Sequence, residues 1–189
     1  MKYIAISLTA LLLAAPASAQ QQRPPRPAAM ALTTTAWKDG GVIPDKFAQP
    51  GRDVSPALAW DNVPEGTEAF VLMVRDLNSV TNTGSDQFLH WMVWNIPKTT
   101  KSLAEKQSQE PELADGTRQI SSSGPYYRGP AASVFGPPHH YVFELYALNA
   151  KLEVPAVGQA PLATQAAVQA AMSGKILGKG VLTGIFRRN

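Results

Sequence analysis

The sequence predicts a single, mostly β domain with one or two helices late in the chain, and three observations predict it. Short apolar runs alternate with proline and glycine from Trp37 onward, which is typical of antiparallel strands. The 189 residues include 16 prolines and 14 glycines, which favour turns over long helices. With 44% hydrophobic and 16% charged residues the chain can bury a core, which excludes a wholly disordered protein.

Residues 1–19 have the pattern of a secretory signal that is removed after export. Lys2 supplies the positive start, a short apolar run extends to Ala15, and Ala17-Ser18-Ala19 forms a cleavage site before Gln20. The apolar run is shorter than the roughly 20 residues that span a bilayer, so a membrane anchor is the less favoured interpretation. We therefore expect cleavage between Ala19 and Gln20 and a periplasmic or secreted protein.

The mature chain is predicted to consist of a flexible Pro-rich linker, residues 20–36, and one folded domain, residues 37–189. The linker has prolines at positions 24, 25 and 27 and no hydrophobic face, so it cannot bury enough side chain to order itself. Subtracting the 19 leader residues from 189 leaves 170, which is the length of one domain.

Four apolar segments of the domain are predicted strands, and one Ala-rich segment is a predicted helix. The strands are residues 69–74, 90–95, 141–148 and 181–186. The helix is expected over 162–177, after Pro161 and before a C-capping Gly178. Its buried face would carry Leu162, Ala166, Met172 and Ile176.

Composition and missing motifs exclude several classes of function. The absence of cysteine excludes a disulfide framework, a thiol nucleophile and thiolate metal sites. A net charge of +3, with no basic run longer than Arg187-Arg188, argues against nucleic-acid binding. The sequence also lacks G-x-S-x-G, H-E-x-x-H and P-loop motifs, and no cofactor is predicted.

Polar residues that could bind a ligand stand at the ends of the predicted strands. Asp76 follows the first strand, while His90 and His139 begin two others. Alternation along a strand predicts that His90 shares a face with Met92 and Trp94, that His139 shares one with Tyr141, and that His140 points the opposite way. The acid and the imidazoles could converge at one rim of a sheet or be unrelated strand-end residues, and spacing alone leaves both open.

Several ordered segments between about residues 50 and 188 carry a resemblance to a known family. They are Ser55-Pro56 with Val63-Pro64-Glu65-Gly66-Thr67, Val74-Arg75-Asp76, His90-Trp91-Met92-Val93-Trp94-Asn95-Ile96-Pro97, Tyr127 to Pro130, His139 to Leu148, and Leu182-Thr183-Gly184-Ile185-Phe186-Arg187. In this order they resemble the phosphatidylethanolamine-binding protein family, in its bacterial Raf-kinase-inhibitor-like branch. Where the family has D-P-D-A-P, this chain has Asp76-Leu77-Asn78-Ser79-Val80, which puts the family's head-group selectivity in question.

The resemblance implies a β-sandwich with a large central antiparallel sheet and a small anion pocket at the end of that sheet. By position, its ligand-binding residues would be Asp76, His90, Tyr127, Gly129, Pro130, His139 and Tyr141. Imidazoles can donate hydrogen bonds to phosphate oxygens, and the chain beside a glycine can approach a ligand closely. The carboxylate would orient an imidazole and favour its charged form.

We therefore expect a non-enzymatic binding module for a small anionic ligand, either phosphate-like or a phospholipid head group. The alternatives are an exported inhibitor that acts by binding another protein, and a hydrolase that uses Ser121, Ser122 or Ser123 with His139 and Asp76. A zinc site at His90, His139 and Asp76 is less favoured, so no metal is predicted. No transmembrane segment is expected in the domain, and a homodimer is left open.

Overall fold

The computed structural model describes residues 27–79, 88–158 and 160–189. Within them the chain forms nine strands, two short 3-10 helices and one α-helix. The strands are β1 (Ala28–Thr33), β2 (Gly41–Val42), β3 (Leu58–Asp61), β4 (Ala69–Asp76), β5 (Phe88–Pro97), β6 (Ser102–Leu103), β7 (Arg118–Ile120), β8 (His139–Leu148) and β9 (Ile176–Phe186). The α-helix is α1 (Pro161–Met172), and the 3-10 helices are Asp45–Phe47 and Gln49–Gly51.

The four predicted strands form the middle of a large antiparallel sheet. β4 lies between β5 and β8, β8 also pairs with β9, and the short β7 pairs with β5 at the edge. Every residue of β4 except Arg75 is buried, as expected of a strand covered on both faces. The predicted strand segments are thus confirmed, and each strand is longer than predicted.

Strand β1 connects this sheet to a smaller one. Its first half, residues 28–30, runs parallel to β9, and its second half, residues 31–33, runs antiparallel to β3. β3 in turn pairs with β6, so the sheet curls over one face of its own centre. This arrangement is the predicted β-sandwich.

Apolar residues pack on both faces of the central sheet. One core cluster lies between the two sheets, where Leu32 and Trp60 of the small sheet join Phe70 and Phe143 of the large one. A second cluster lies on the opposite face and includes Met73, Trp94, Val168 and Met172, the last two from α1. Trp60, Trp91 and Trp94 are all buried, as the strand pattern predicts.

The α-helix ends earlier than the predicted end at residue 177. α1 ends at Met172, Gly174 turns the chain at a φ of 73°, and β9 already begins at Ile176. The predicted capping residue Gly178 lies inside β9, because pairing with β8 extends this segment as a strand. The buried face of α1 is Thr164, Gln165, Val168 and Met172, whereas Leu162 is 59% exposed.

The predicted linker is wrong for residues 28–33, which form β1. Met30 and Leu32 are buried in the core, and strand pairing on both sides satisfies the backbone. The predicted leader, residues 1–19, and the first part of the linker, residues 20–26, lie outside the described residues. No helix within the described ranges is long and apolar enough to cross a membrane.

Candidate functional site

Four of the predicted site residues meet at one end of the central sheet. Asp76 at the end of β4 pairs across the sheet with Tyr141 of β8, and His139 lies two residues before Tyr141. Together with His90 they line a cavity of about 250 Å³, which we call the site cavity. The acid and the imidazoles therefore converge at one rim of the sheet, which is one of the two possibilities that their spacing leaves open.

Asp76 is the most heavily hydrogen-bonded group of the site. Its Oδ1 accepts from the backbone N–H groups of Asn78 at 2.8 Å and Ser79 at 3.1 Å. Its Oδ2 accepts from the Ser79 hydroxyl at 2.7 Å and lies 2.7 Å from Nδ1 of His139. Burial raises the pKa of this carboxyl, but the hydrogen bonds from His139, Ser79 and Asn78 outweigh it and lower the pKa overall.

The ionised carboxylate orients the His139 ring. Because an ionised carboxylate can only accept, Nδ1 of His139 must carry the hydrogen in the contact with Asp76. Nε2 is then the ring nitrogen that can meet a ligand in the cavity. This contact agrees with the expectation that Asp76 orients an imidazole.

His90 lies on the same face as Tyr141, and the predicted face is wrong. A β-bulge shifts the pairing of β4 with β5 between Val74 and Arg75, which pair with Trp91 and Leu89, so His90 is the extra residue. Its ring lies edge-on to Tyr141 with centroids 5.1 Å apart. Simple alternation would have placed His90 with Met92 and Trp94, whose side chains lie in the cluster on the opposite face.

His90 is buried, and its chemistry differs from the sequence expectation. Nδ1 of His90 lies 2.7 Å from the Arg128 carbonyl oxygen, and since a carbonyl can only accept, this nitrogen donates. Burial lowers the pKa of His90, and the Arg128 hydrogen bond and the Asp76 charge offset this only in part. The ring is therefore neutral at pH 7, and its Nε2 is an acceptor.

Tyr141 contributes a hydroxyl that keeps its proton. Burial, followed by the nearby Asp76 charge, raises the pKa of Tyr141. The hydroxyl oxygen accepts from the backbone N–H of Ala131 at 3.3 Å, and the hydroxyl also makes a hydrogen bond with the Asp76 carboxylate.

Three predicted site residues do not line the site cavity, namely Tyr127, Gly129 and Pro130. The Tyr127 hydroxyl donates to the Phe47 carbonyl at 2.9 Å. The N–H of Gly129, which was expected to meet a ligand, donates to Asp53 Oδ1 at 2.8 Å, and a Cβ at this position would lie 2.6 Å from Phe47 O. The Pro130 carbonyl accepts from the N–H of Gln49 at 3.0 Å. These contacts hold residues 127–130 against residues 47–53.

Sequence reasoning missed several residues of the lining. They are Gln49, Ser79, Phe88, Ala131, Ala132 and Ser133. Ser79 could have been found, since a serine three residues after an aspartate is a common turn pattern. Gln49 has no such signal, because only the docking of its 3-10 helix against residues 129–130 brings it to the cavity.

The serines considered for a hydrolase do not line the site cavity. Ser121 donates its hydroxyl to the Gly124 carbonyl at 3.0 Å, and neither Ser122 nor Ser123 belongs to the lining. Within the part of the chain that the structure describes, no group of three His, Cys, Asp or Glu residues is arranged to hold a metal ion.

The family model for phosphatidylethanolamine-binding proteins matches residues 33–187. The chain belongs to the phosphatidylethanolamine-binding protein family. It is similar to a family member from Chlamydia trachomatis, a phosphatidylethanolamine-binding protein homologue of known structure, with a TM-score of 0.69 and 27% identity. The match covers 85% of this chain and 99% of that one.

Relatives in the family include proteins from distant bacteria. A protein of the group designated UPF0098 from Aquifex aeolicus is 33% identical over 163 residues, which cover 86% of this chain and 91% of the relative. A Mycobacterium tuberculosis protein named as the lipoprotein LppC is 32% identical over 166 residues, which cover 86% of this chain and 75% of the relative.

Proposed function

We propose that the protein is a non-enzymatic binding module that holds a small phosphate-like anion in the site cavity. The observation that carries the proposal is the Asp76–His139 pair beside the Tyr141 hydroxyl, at the edge of a cavity of about 250 Å³. The cavity is the right size for a small polar group and too small for a large substrate.

The donors of the cavity would meet the negative charge of the ligand. The Asp76 carboxylate already accepts hydrogen bonds from Asn78, Ser79 and His139, so its negative charge is compensated before a ligand enters. A protonated His139 would present Nε2–H as a charge-assisted donor, and Tyr141 would present its hydroxyl.

His90 would require a ligand that carries a proton. With Nδ1 donating to Arg128, the neutral ring can only accept at Nε2. A singly protonated phosphate has an O–H group to donate and negative oxygens for His139 and Tyr141. The bound state would therefore hold one proton between Nε2 of His90 and a phosphate oxygen.

The lining supports binding over hydrolysis. The Ser79 hydroxyl donates to Asp76 and so is not placed to be activated by a histidine. The names of the family and of its Chlamydia trachomatis member specify phosphatidylethanolamine. We therefore choose its phosphoethanolamine head group as the first ligand to test.

We also infer that the protein works in the cell envelope. Its first 19 residues have the secretory pattern, and one relative is named as a lipoprotein. Intact-mass measurement of the exported protein would show a start at Gln20, whereas a full-length mass in the periplasm would contradict cleavage.

Replacing His139 by alanine is expected to weaken phosphoethanolamine binding by about 1.5–3 kcal/mol, or about 10- to 150-fold, the range for hydrogen bonds to charged groups. His140→Ala is the matched control, since the His140 ring is exposed and bonded to Asn78 outside the cavity. Calorimetric titration of both variants and the wild type measures the difference. An equal loss in the control, or no saturable binding to the wild type, would contradict the proposal.

Affinity is expected to fall with rising pH, about tenfold per unit above the second pKa of a phosphomonoester, which is about 6. Above that pH the free ligand and His90 both lack the proton that they share in the complex, so binding takes up at least this proton. Titration in two buffers with different ionisation heats would detect this uptake. His90→Gln supplies an N–H donor at every pH and should flatten the profile. A wild-type affinity that is constant to pH 8 would overturn the proton-sharing mechanism.

A further inference from the structure

A loop with an exposed aromatic tip borders the mouth of the site cavity. Residues 131–138, which we call the mouth loop, connect the Gly129-Pro130 segment to β8. Ala131, Ala132 and Ser133 line the cavity, whereas Phe135 is 98% exposed and Val134 is 41% exposed. The loop thus lines the cavity with its first three residues and carries an apolar tip in solvent.

The exposure of Phe135 is built into the loop. At the base, the Ala132 carbonyl accepts from the N–H of Arg188 at 3.1 Å, and Ala132 itself is buried. At the tip, Ser133 accepts twice, from the Gly136 N–H at its carbonyl and from the Phe135 N–H at its hydroxyl. A turn between Ser133 and Gly136 therefore holds the ring away from the core.

An exposed arginine lies beside this apolar tip. Arg188 and Val134 both line an open groove of about 590 Å³, which also contains Arg128, Asp45 and Asp53. Asp53 is paired with Arg128. The mouth loop thus brings together an exposed phenyl ring, Arg188 and a cavity for phosphate-like groups.

We propose that the mouth loop docks the protein on a lipid bilayer, with Phe135 inserted among the head groups and Arg188 on a lipid phosphate. The site cavity would then face the head-group layer, and this step rests on the anion-binding function proposed above. Aromatic side chains and arginines are favoured at such interfaces, where apolar and charged groups meet.

A bilayer fits these observations better than a protein partner. Exposed apolar residues that stand alone are common on protein surfaces. The apolar area that Phe135 and Val134 expose is far smaller than the roughly 1,000 Å² that a stable protein interface buries. A bilayer needs no matching surface, because lipids rearrange around one inserted ring. The phosphate groups of the lipids would also meet Arg188 and the cavity.

Phe135→Ser should weaken binding to vesicles of phosphatidylethanolamine and phosphatidylglycerol about tenfold or more, since burial of the ring is lost. Leu162→Ser is the matched control, as Leu162 is 59% exposed on α1, and it should bind like the wild type. Phe135→Trp should retain binding and shift its emission to the blue on vesicles. All variants start at Gln20, the expected mature N-terminus, so the contribution of residues 20–26 is common to them.

Soluble phosphoethanolamine separates this proposal from the anion-binding function. Phe135→Ser should bind it as the wild type does, because the ring lies outside the cavity lining. Wild-type binding to phosphoethanolamine but not to vesicles would overturn the docking proposal alone. Vesicle binding that is unchanged in Phe135→Ser, or a Phe135→Trp emission that does not shift, would also overturn it. Loss of phosphoethanolamine binding by the wild type would overturn the anion-binding function.

Discussion

His90 and His139 line one cavity but are held in different ways. His139 donates to a carboxylate at 2.7 Å, and its side chain is 24% exposed. His90 donates to a backbone carbonyl at the same distance and is only 3% exposed. Burial lowers the pKa of His90 and so favours its neutral ring, whereas His139 is more exposed and is oriented by a carboxylate, so the two histidines would make different hydrogen bonds to the same ligand.

Acid is expected to destabilise the fold through His90. Because the folded-state pKa is lowered, the neutral ring contributes stability above the unfolded value of about 6.5, and this is lost as pH falls towards the folded value. Urea midpoints measured at about pH 7.5 and about pH 5.5 should therefore drop more for the wild type than for His90→Gln. The lowered pKa of Asp76 affects stability only at lower pH, where its stabilising contribution is lost below about pH 4. Equal drops in both proteins would contradict this assignment.

Asp53 shows how a side chain outside the lining shapes the cavity. Its Oδ1 accepts from the Gly129 N–H at 2.8 Å, and its Oδ2 accepts from the Arg128 guanidinium at 3.0 Å. These bonds fix the segment that carries the carbonyl partner of His90. Asp53 therefore positions His90 through the backbone, although it does not line the site cavity.

At the scale of elements, the bulge in β5 decides which residues reach the site. The two residues Leu89 and Trp91 pair with neighbouring residues of β4, and His90 between them has no partner position. The extra residue turns the imidazole towards Tyr141, while Trp91 keeps its place in the core between the sheets. Without the bulge, the ring of His90 would lie on the other face of the sheet.

Strand β1 lies in a segment whose composition predicts a flexible linker. The substitution Leu32→Ala distinguishes a strand from a linker, because the Leu32 side chain is only 5% exposed and its loss destabilises the fold only if the segment packs in the core. We expect a loss of about 2–5 kcal/mol in unfolding free energy. Thr33→Ala, at an exposed position of the same strand, should change it by about 0.5 kcal/mol or less. Urea unfolding of both variants measures this, and a neutral Leu32→Ala would favour the linker interpretation.

At the scale of the molecule, the site cavity forms where separate parts of the chain meet. β4 and β8 bring Asp76 and Tyr141 together, the 3-10 helix after Ala48 brings Gln49, and the mouth loop closes the third side. The two core clusters hold the central sheet from both faces. The cavity therefore stands at the end of a sheet that is packed on both faces, with the mouth loop as one of its walls.

The far side of the central sheet carries a separate charged group. Glu144 accepts from Arg75 and Lys179 on the two neighbouring strands. Burial raises the pKa of Glu144, but the hydrogen bonds from Lys179 and Arg75 lower it overall. This group binds three strands together on the face opposite the site and lies outside the site cavity lining.

The sequence by itself determined the sandwich, its long strands and four of the site residues. The apolar runs of β4 and β8 favour buried strands because they are short, rich in valine and aromatic residues, and bounded by turn residues. The ordered motifs then locate Asp76, His90, His139 and Tyr141, since a family retains the spacing of residues along its strands.

Only the tertiary structure decided the helix end, the place of β1 and the face of His90. Pairing with β8 makes residues 176–178 a strand, although their composition continues the helix pattern. Pairing with β3 and β9 orders residues 28–33, whose two buried side chains, Met30 and Leu32, are too few to order the segment alone. The bulge at His90 and the burial of its ring depend on neighbours distant in sequence, and so does its lowered pKa. Local patterns specify what a segment can form, and contacts between distant segments select which of these forms has the lowest free energy.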